Sequence, residues 1–241
     1  MVKTLALIGA GVLIATWGCA QPVLDYVNAP DDSYAWEVVE EQPVGETSIV
    51  HLQVTSQTWR GIVWTHRVQV IVPAHMQHPE TALLLITGGS PGTDELALLG
   101  MAAVGLSAPM VVLGDIPNQP LFGDLREDAL IAYTFAQFLE SGEADWPLLF
   151  PMTKAAVRTM DAIEQYTQGA WETPVSGFIT TGGSKRGWTT WFTGAVVPER
   201  LKGIVPMVSD NLNLAAQMPH QVATWGDYSA MIHDYTERGL P

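Results

Sequence analysis

The chain has 241 residues, 47% of them hydrophobic and 15% charged, which suits one globular domain with a sizeable core and excludes a disordered chain. Its 11 Lys and Arg stand against 25 Asp and Glu, a net charge of −14 that repels phosphate backbones and excludes nucleic acid as a partner. Cys19 is the single cysteine, so no intrachain disulfide is possible.

Residues 1–20 carry Lys3, the apolar run Leu5 to Thr16 and then Gly18-Cys19-Ala20, the layout of a bacterial secretory signal. That run is shorter than the roughly 20 residues a bilayer crossing takes. Cys19, following a glycine, is a candidate for lipid attachment; cleavage after Ala20, with Gly18 and Ala20 as the small residues, is the alternative. Either route predicts an exported protein, in the periplasm, on the outer membrane or outside the cell, with membrane contact only through an anchor at Cys19. Residues 21–48 are rich in Pro, Asp and Glu without periodicity and read as an extended leader, so the domain is expected to span 49–241.

From Ile49 on, β-branched and apolar runs predict strands at Ile49 to Thr55, Gly61 to Val72, Ala82 to Ile86, Met110 to Leu113, Gly177 to Thr180 and Gly203 to Val208. The later runs are continuously apolar, as in parallel strands covered on both faces. Helical stretches separate them at Asp94 to Leu106, Glu127 to Leu139, Thr153 to Tyr166 and Lys185 to Val196; in the third, Val157, Met160 and Ile163 mark a buried face. The expected class is therefore α/β, a mostly parallel sheet with helices on both faces. The first two strands leave no room for a helix between them and should pair antiparallel at one edge. The stretch 114–152, with Pro117, Pro120, Phe122, Trp146, Pro147, Phe150 and Pro151, is either a cap over a site or a packed excursion whose aromatics belong to the core.

The sharpest chemical signal is Gly182-Gly183-Ser184-Lys185-Arg186-Gly187, where a strand runs into a glycine-flanked serine and then into a helix. This is the context of a nucleophile elbow, in which a tight turn holds a serine hydroxyl at the carboxyl edge of the sheet. The pattern departs from Gly-x-Ser-x-Gly, because Arg186 takes the last glycine position and Gly187 follows it. A plain turn or helix cap is the competing interpretation. The backbone N–H of Lys185 is placed to stabilise an oxyanion, and the loop Thr87-Gly88-Gly89-Ser90 is the candidate for a second donor through Gly88 and Gly89, with a simple strand-to-helix turn as the alternative. Lys185 and Arg186 are candidates to hold a substrate carboxylate, or else solvated charges. Asp210, after the sixth strand, is either the acid of a triad or a turn residue. After Ser184 the only histidines are His220 and His233, neither followed by a clear strand. No ligand spacing argues for a metal and no Gly-x-Gly-x-x-Gly for a nucleotide cofactor, so none is expected.

Several longer segments, Thr55-Ser56-Gln57-Thr58-Trp59, Pro117 to Phe122, Glu127 to Tyr133, Trp146-Pro147-Leu148-Leu149 and above all Ser184-Lys185-Arg186-Gly187-Trp188-Thr189-Thr190-Trp191, resemble the PhoPQ-activated pathogenicity-related proteins. The resemblance runs from about Tyr34 to Pro241. It implies an α/β-hydrolase fold in an exported bacterial protein, with Ser184 at the family's elbow. It also implies later strands carrying an Asp and a His that no position here matches, hence an α/β-hydrolase domain lacking its last strands. The Ser-x-x-Gly elbow with a following lysine is similar to that of glucuronoyl esterases, which implies an ester of an acidic sugar. These readings lead to two expectations: a serine hydrolase acting on small-molecule or carbohydrate esters, weak on its own without a base, or a non-catalytic surface, binding or virulence-associated signalling protein on the same fold. The sixth strand should form an apolar edge and favour self-association.

Overall fold

In the computed structural model, which describes residues 22–210 and 212–240, the first β-branched stretch forms a long hairpin of β2 (Thr47–Trp59) and β3 (Ile62–Pro73). Arg60 and Gly61 close it with φ of 51° and 75°. Two successive left-handed residues are what a two-residue hairpin loop requires, and they fix the register with Trp59 opposite Ile62. The remaining expected strands are β4 (Thr81–Ile86), β5 (Met110–Leu113), β6 (Gly177–Gly183) and β7 (Leu201–Met207). The expected helices are α2 (Thr93–Leu106), α3 (Glu127–Ser141), α4 (Leu149–Ala170) and α5 (Lys185–Val196), followed by α6 (Leu214–Trp225) and α7 (His233–Thr236).

The segment expected as a leader departs from that expectation. It contains a short helix, α1 (Pro22–Asn28), and a strand, β1 (Ala35–Val44), which pairs antiparallel with β2. Val27 of α1 is buried in the main core. The β2–β3 hairpin is therefore antiparallel as expected, but β1 and not the hairpin forms the edge. The first 20 residues, with the secretion signal and Cys19, lie outside the described residues.

The sheet order is β1-β2-β3-β5-β4-β6-β7, with β5, β4, β6 and β7 mutually parallel and β1, β2, β3 and β5 joined antiparallel. Alternation along each strand feeds two cores. Ala82, Leu84, Ile86, Val111 and Leu113 face the large one with α4 and α5, while Leu83, Leu85, Met110 and Val112 face the smaller one under α2. Val157, Met160 and Ile163 of α4 are buried as their spacing predicts. Helices thus cover both faces, and the fold is α/β.

After β4 the chain crosses to β5 on one side, and after β6 it crosses to β7 on the other, so the switch in direction falls between β4 and β6. A crevice beyond the carboxyl ends of strands at such a point is where open α/β sheets bind ligands. The stretch 114–152 divides between two tasks. Phe122 and Trp146 pack edge to face against Trp59, with ring centroids at 5.7 and 6.3 Å, at the border of the main core. Asp128 and Phe135 of α3 instead face the end of β6.

Candidate active site

A single residue joins β6 to α5. Ser184 takes φ 56° and ψ −121°, a conformation that residues with a Cβ adopt only where the surroundings impose it, at a cost on the order of 1–3 kcal/mol. Its N–H donates to the Met207 carbonyl of β7 at 2.9 Å, and its own carbonyl accepts from the Trp188 N–H at 3.0 Å. Two glycines allow the bend. A Cβ on Gly182 would lie 2.8 Å from Arg186 Cβ and from the Arg186 carbonyl oxygen, and one on Gly187 would lie 2.7 Å from the Met207 carbonyl oxygen. Gly187, one place later than the usual pattern, is thus the residue that lets α5 approach β7, and Arg186 is tolerated because its side chain leaves the turn.

The Ser184 side chain is exposed and opens on a cavity of about 350 Å3. Its walls come from Asp128 and Phe135 of α3, Lys185 and Trp188 of α5, Val208 after β7, and apolar side chains of α6 and the α7 region. Phe135 and Trp188 meet edge to face with centroids 5.9 Å apart. The N–H of Lys185 stands in the first turn of α5, where helix N–H groups lack an intrahelical acceptor and the dipole favours negative charge.

The two cations after Ser184 have protein partners. Lys185 Nζ lies 2.9 Å from Glu127 Oε2 and 3.0 Å from Asp128 Oδ2. Arg186 donates through both terminal nitrogens to Glu127, at 2.7 and 2.6 Å, and through Nε to the Ile116 carbonyl at 2.6 Å. The Arg186 guanidinium is therefore not free to hold a substrate carboxylate, and Lys185, although it lines the cavity, is held by two carboxylates. Burial pushes the Glu127 carboxyl up, but hydrogen bonds from Arg186, Lys185 and Gln119 outweigh it and hold it at about 2. Asp128 accepts in addition from the Tyr235 hydroxyl at 3.0 Å. Burial, reinforced by the Asp128 charge, raises that phenol well above its ordinary value and keeps it a donor.

Gly88 and Gly89 do not line the Ser184 cavity. The Arg186 guanidinium fills the space that a Cβ on Gly88 would need, so this glycine serves the packing of the arginine. Gly89 borders a different cavity with Leu85, Thr87 and Ser90. Asp210 is exposed and absent from the wall around Ser184. His220 is exposed, His233 pairs with Glu237 at 2.8 Å on the surface, and neither lines the Ser184 cavity. The sequence reading missed Glu127, Asp128 and Tyr235. The signal available for the first two was the pair Lys185 and Arg186, two cations at the start of a helix, which imply carboxylates to receive them.

Residues 23–241 match the PhoPQ-activated pathogenicity-related protein family. Over 240 residues the chain is 38% identical to the autocrine proliferation repressor protein A of Dictyostelium discoideum, covering 91% of this chain and 47% of that protein. The chain thus spans about half the length of this curated relative. Among solved structures, the acetyl xylan esterase of Paenibacillus sp. R4 superposes with a TM-score of 0.50 at 11% identity, over 90% of this chain and 69% of that one. A glucuronoyl esterase from Solibacter usitatus gives 0.48 at 12% identity, over 77% and 56%. At 11% identity the likeness to the acetyl xylan esterase concerns the fold alone, an α/β arrangement of sheet and helices. On the match across residues 23–241 and the 38% identity, the chain belongs to the PhoPQ-activated pathogenicity-related protein family.

Proposed function

We propose that Ser184 is the nucleophile of an exported serine hydrolase, esterase-like, acting on small-molecule or carbohydrate esters. The observation that carries this reading is the strained, exposed serine at the mouth of a cavity, held there by Gly182, Gly187 and the Met207 carbonyl. Strain of this kind persists where the surrounding packing over-determines it, and it collects at reactive positions. In the reaction, Ser184 Oγ attacks the ester carbonyl, the Lys185 N–H receives the developing oxyanion, the alcohol leaves with the serine's proton, and water releases the acyl group. A general base must carry that proton, and no histidine among the described residues lines the cavity. The activity of these 241 residues is therefore expected to be weak, since loss of the base removes orders of magnitude of rate and leaves the contribution of the oxyanion donors. Export rests on the first 20 residues, either by cleavage after Ala20 or by lipid attachment at Cys19.

The test is covalent labelling. A tagged fluorophosphonate incubated with the protein in its full natural length is expected to attach at Ser184 and at no site in the Ser184→Ala variant. A folded protein that takes no label supports the second reading, a binding or signalling protein. That reading draws on a cavity lined by no histidine among the described residues and on a relative named for repressing proliferation.

A further inference from the structure

Around the Ser184 cavity, charge closes on itself. Lys185 sits between Glu127 and Asp128, Arg186 grips Glu127 with both terminal nitrogens, and the second oxygen of Asp128 takes the Tyr235 hydroxyl. Two cations and two carboxylates balance, and among the described residues lining the cavity none is left over to meet an ion. The lysine and arginine side chains are only 10% and 11% exposed, while Glu127 and Asp128 are 39% and 36% exposed, so water screens these pairs in part. The rest of the wall is apolar, with Phe135, Trp188, Met218, Met231, Ile232 and Leu240 around a volume of about 350 Å3. That volume lies at the small end of the range of roughly 300–1,000 Å3 for small-molecule pockets.

Resting on the reading of Ser184 as an acyl-transfer residue, we propose that this site takes uncharged esters whose aryl or short alkyl group fills the apolar cavity, and that it rejects esters with a carboxylate near the scissile bond. An incoming carboxylate has two routes, both unfavourable. It can displace Asp128 from Lys185, which strands Asp128 beside Tyr235 with one partner lost, or it can lie unpaired among aromatic and aliphatic side chains. A neutral chain meets no such barrier, and each methylene it buries strengthens binding by roughly fourfold. The lysine beside the serine is then a knot in the scaffold and not a receptor for an acidic sugar.

Binding to the Ser184→Ala variant of the full chain tests this without needing turnover. Calorimetry at high ionic strength, which suppresses repulsion from the net charge of −14, would compare butyrophenone with 4-oxo-4-phenylbutanoate, two aryl ketones of equal length that differ in a terminal carboxylate. The neutral ketone is expected to bind roughly tenfold tighter or more. Asp128→Asn, which loosens Lys185 while Glu127 stays occupied by Arg186, should narrow that gap by favouring the carboxylate. Equal or tighter binding of the carboxylate to the parent site, or binding of neither ketone, overturns the proposal. The fluorophosphonate labelling above judges the nucleophile separately: selectivity between ketones without labelling keeps the neutral cavity and removes the hydrolase.

Discussion

Replacing Ser184 with glycine is expected to stabilise the protein while removing the hydroxyl on which the proposed chemistry depends. At φ 56° and ψ −121° the serine's Cβ is the source of the strain, on the order of 1–3 kcal/mol. The exposed side chain forms no cap hydrogen bond that would offset it. Glycine relieves the strain and gives back roughly 0.5–1 kcal/mol through the greater freedom of its unfolded chain. The net gain is about 1 kcal/mol, which for a domain of this size raises Tm by about 2–4 °C. Ser184→Ala keeps the Cβ and should melt within about 1–2 °C of the parent. Thermal unfolding of the three proteins, followed by circular dichroism, decides the matter. If the glycine variant melts no higher than the alanine variant, the backbone at this position stores no strain, and the argument for an elbow loses its physical basis.

Other perturbations probe the surroundings. Glu127→Gln leaves Lys185 and Arg186 short of charge; because Glu127 is 39% exposed, the usual cost of breaking a buried pair is discounted to about 2 kcal/mol in urea unfolding. A loss under about 0.5 kcal/mol would mean that these pairs contribute nothing. Gly187→Ala places a Cβ 2.7 Å from the Met207 carbonyl oxygen and is expected to cost about 1–3 kcal/mol and to slow fluorophosphonate labelling. Acid should unfold the protein in two windows. Burial, only partly opposed by the Asp115 carbonyl and charge, lowers His66 from 6.5 to about 4, so the unfolded chain takes up its proton first and stability falls as pH drops from about 6.5 to about 4. Glu127, lowered from 4.5 to about 2, contributes stability above about 4.5 that is lost as pH falls towards 2. His66→Gln should flatten the first window of a stability-against-pH curve and leave the second.

Strands whose two faces are both covered announced themselves in the sequence. Met110 to Leu113 is apolar at every position and buried at every position, and it emerged with the expected bounds. The strand β1 did not, for the opposite reason. Ala35–Val44 buries almost nothing, and with three glutamates it has neither a period of two nor an apolar run, so only its pairing with β2 makes it a strand. At the site, Ser184, Gly182 and Gly187 were legible because a tight bend is a local event that small residues record. Glu127 was not, since its partner lies 59 residues further along and a glutamate opening a helix already has an ordinary explanation in the helix dipole. The misplaced expectation for Gly88 has the same root: two glycines after a strand can admit a substrate or admit an arginine, and the sequence does not distinguish the visitor.

The hydrogen bond from the Ser184 N–H to Met207 has a mechanical side. The serine hangs from the end of the neighbouring strand, and the Trp191 indole ties that same end to α5 through the Ser209 carbonyl at 3.3 Å. Among the described strands β7 is the outermost on this flank, with Val205 and Met207 about half exposed. A shift of the Met207 carbonyl is thus passed through one hydrogen bond to the backbone that carries the Ser184 hydroxyl. The orientation of that hydroxyl is therefore set in part by β7, whose Met207 stands outside the wall of the cavity.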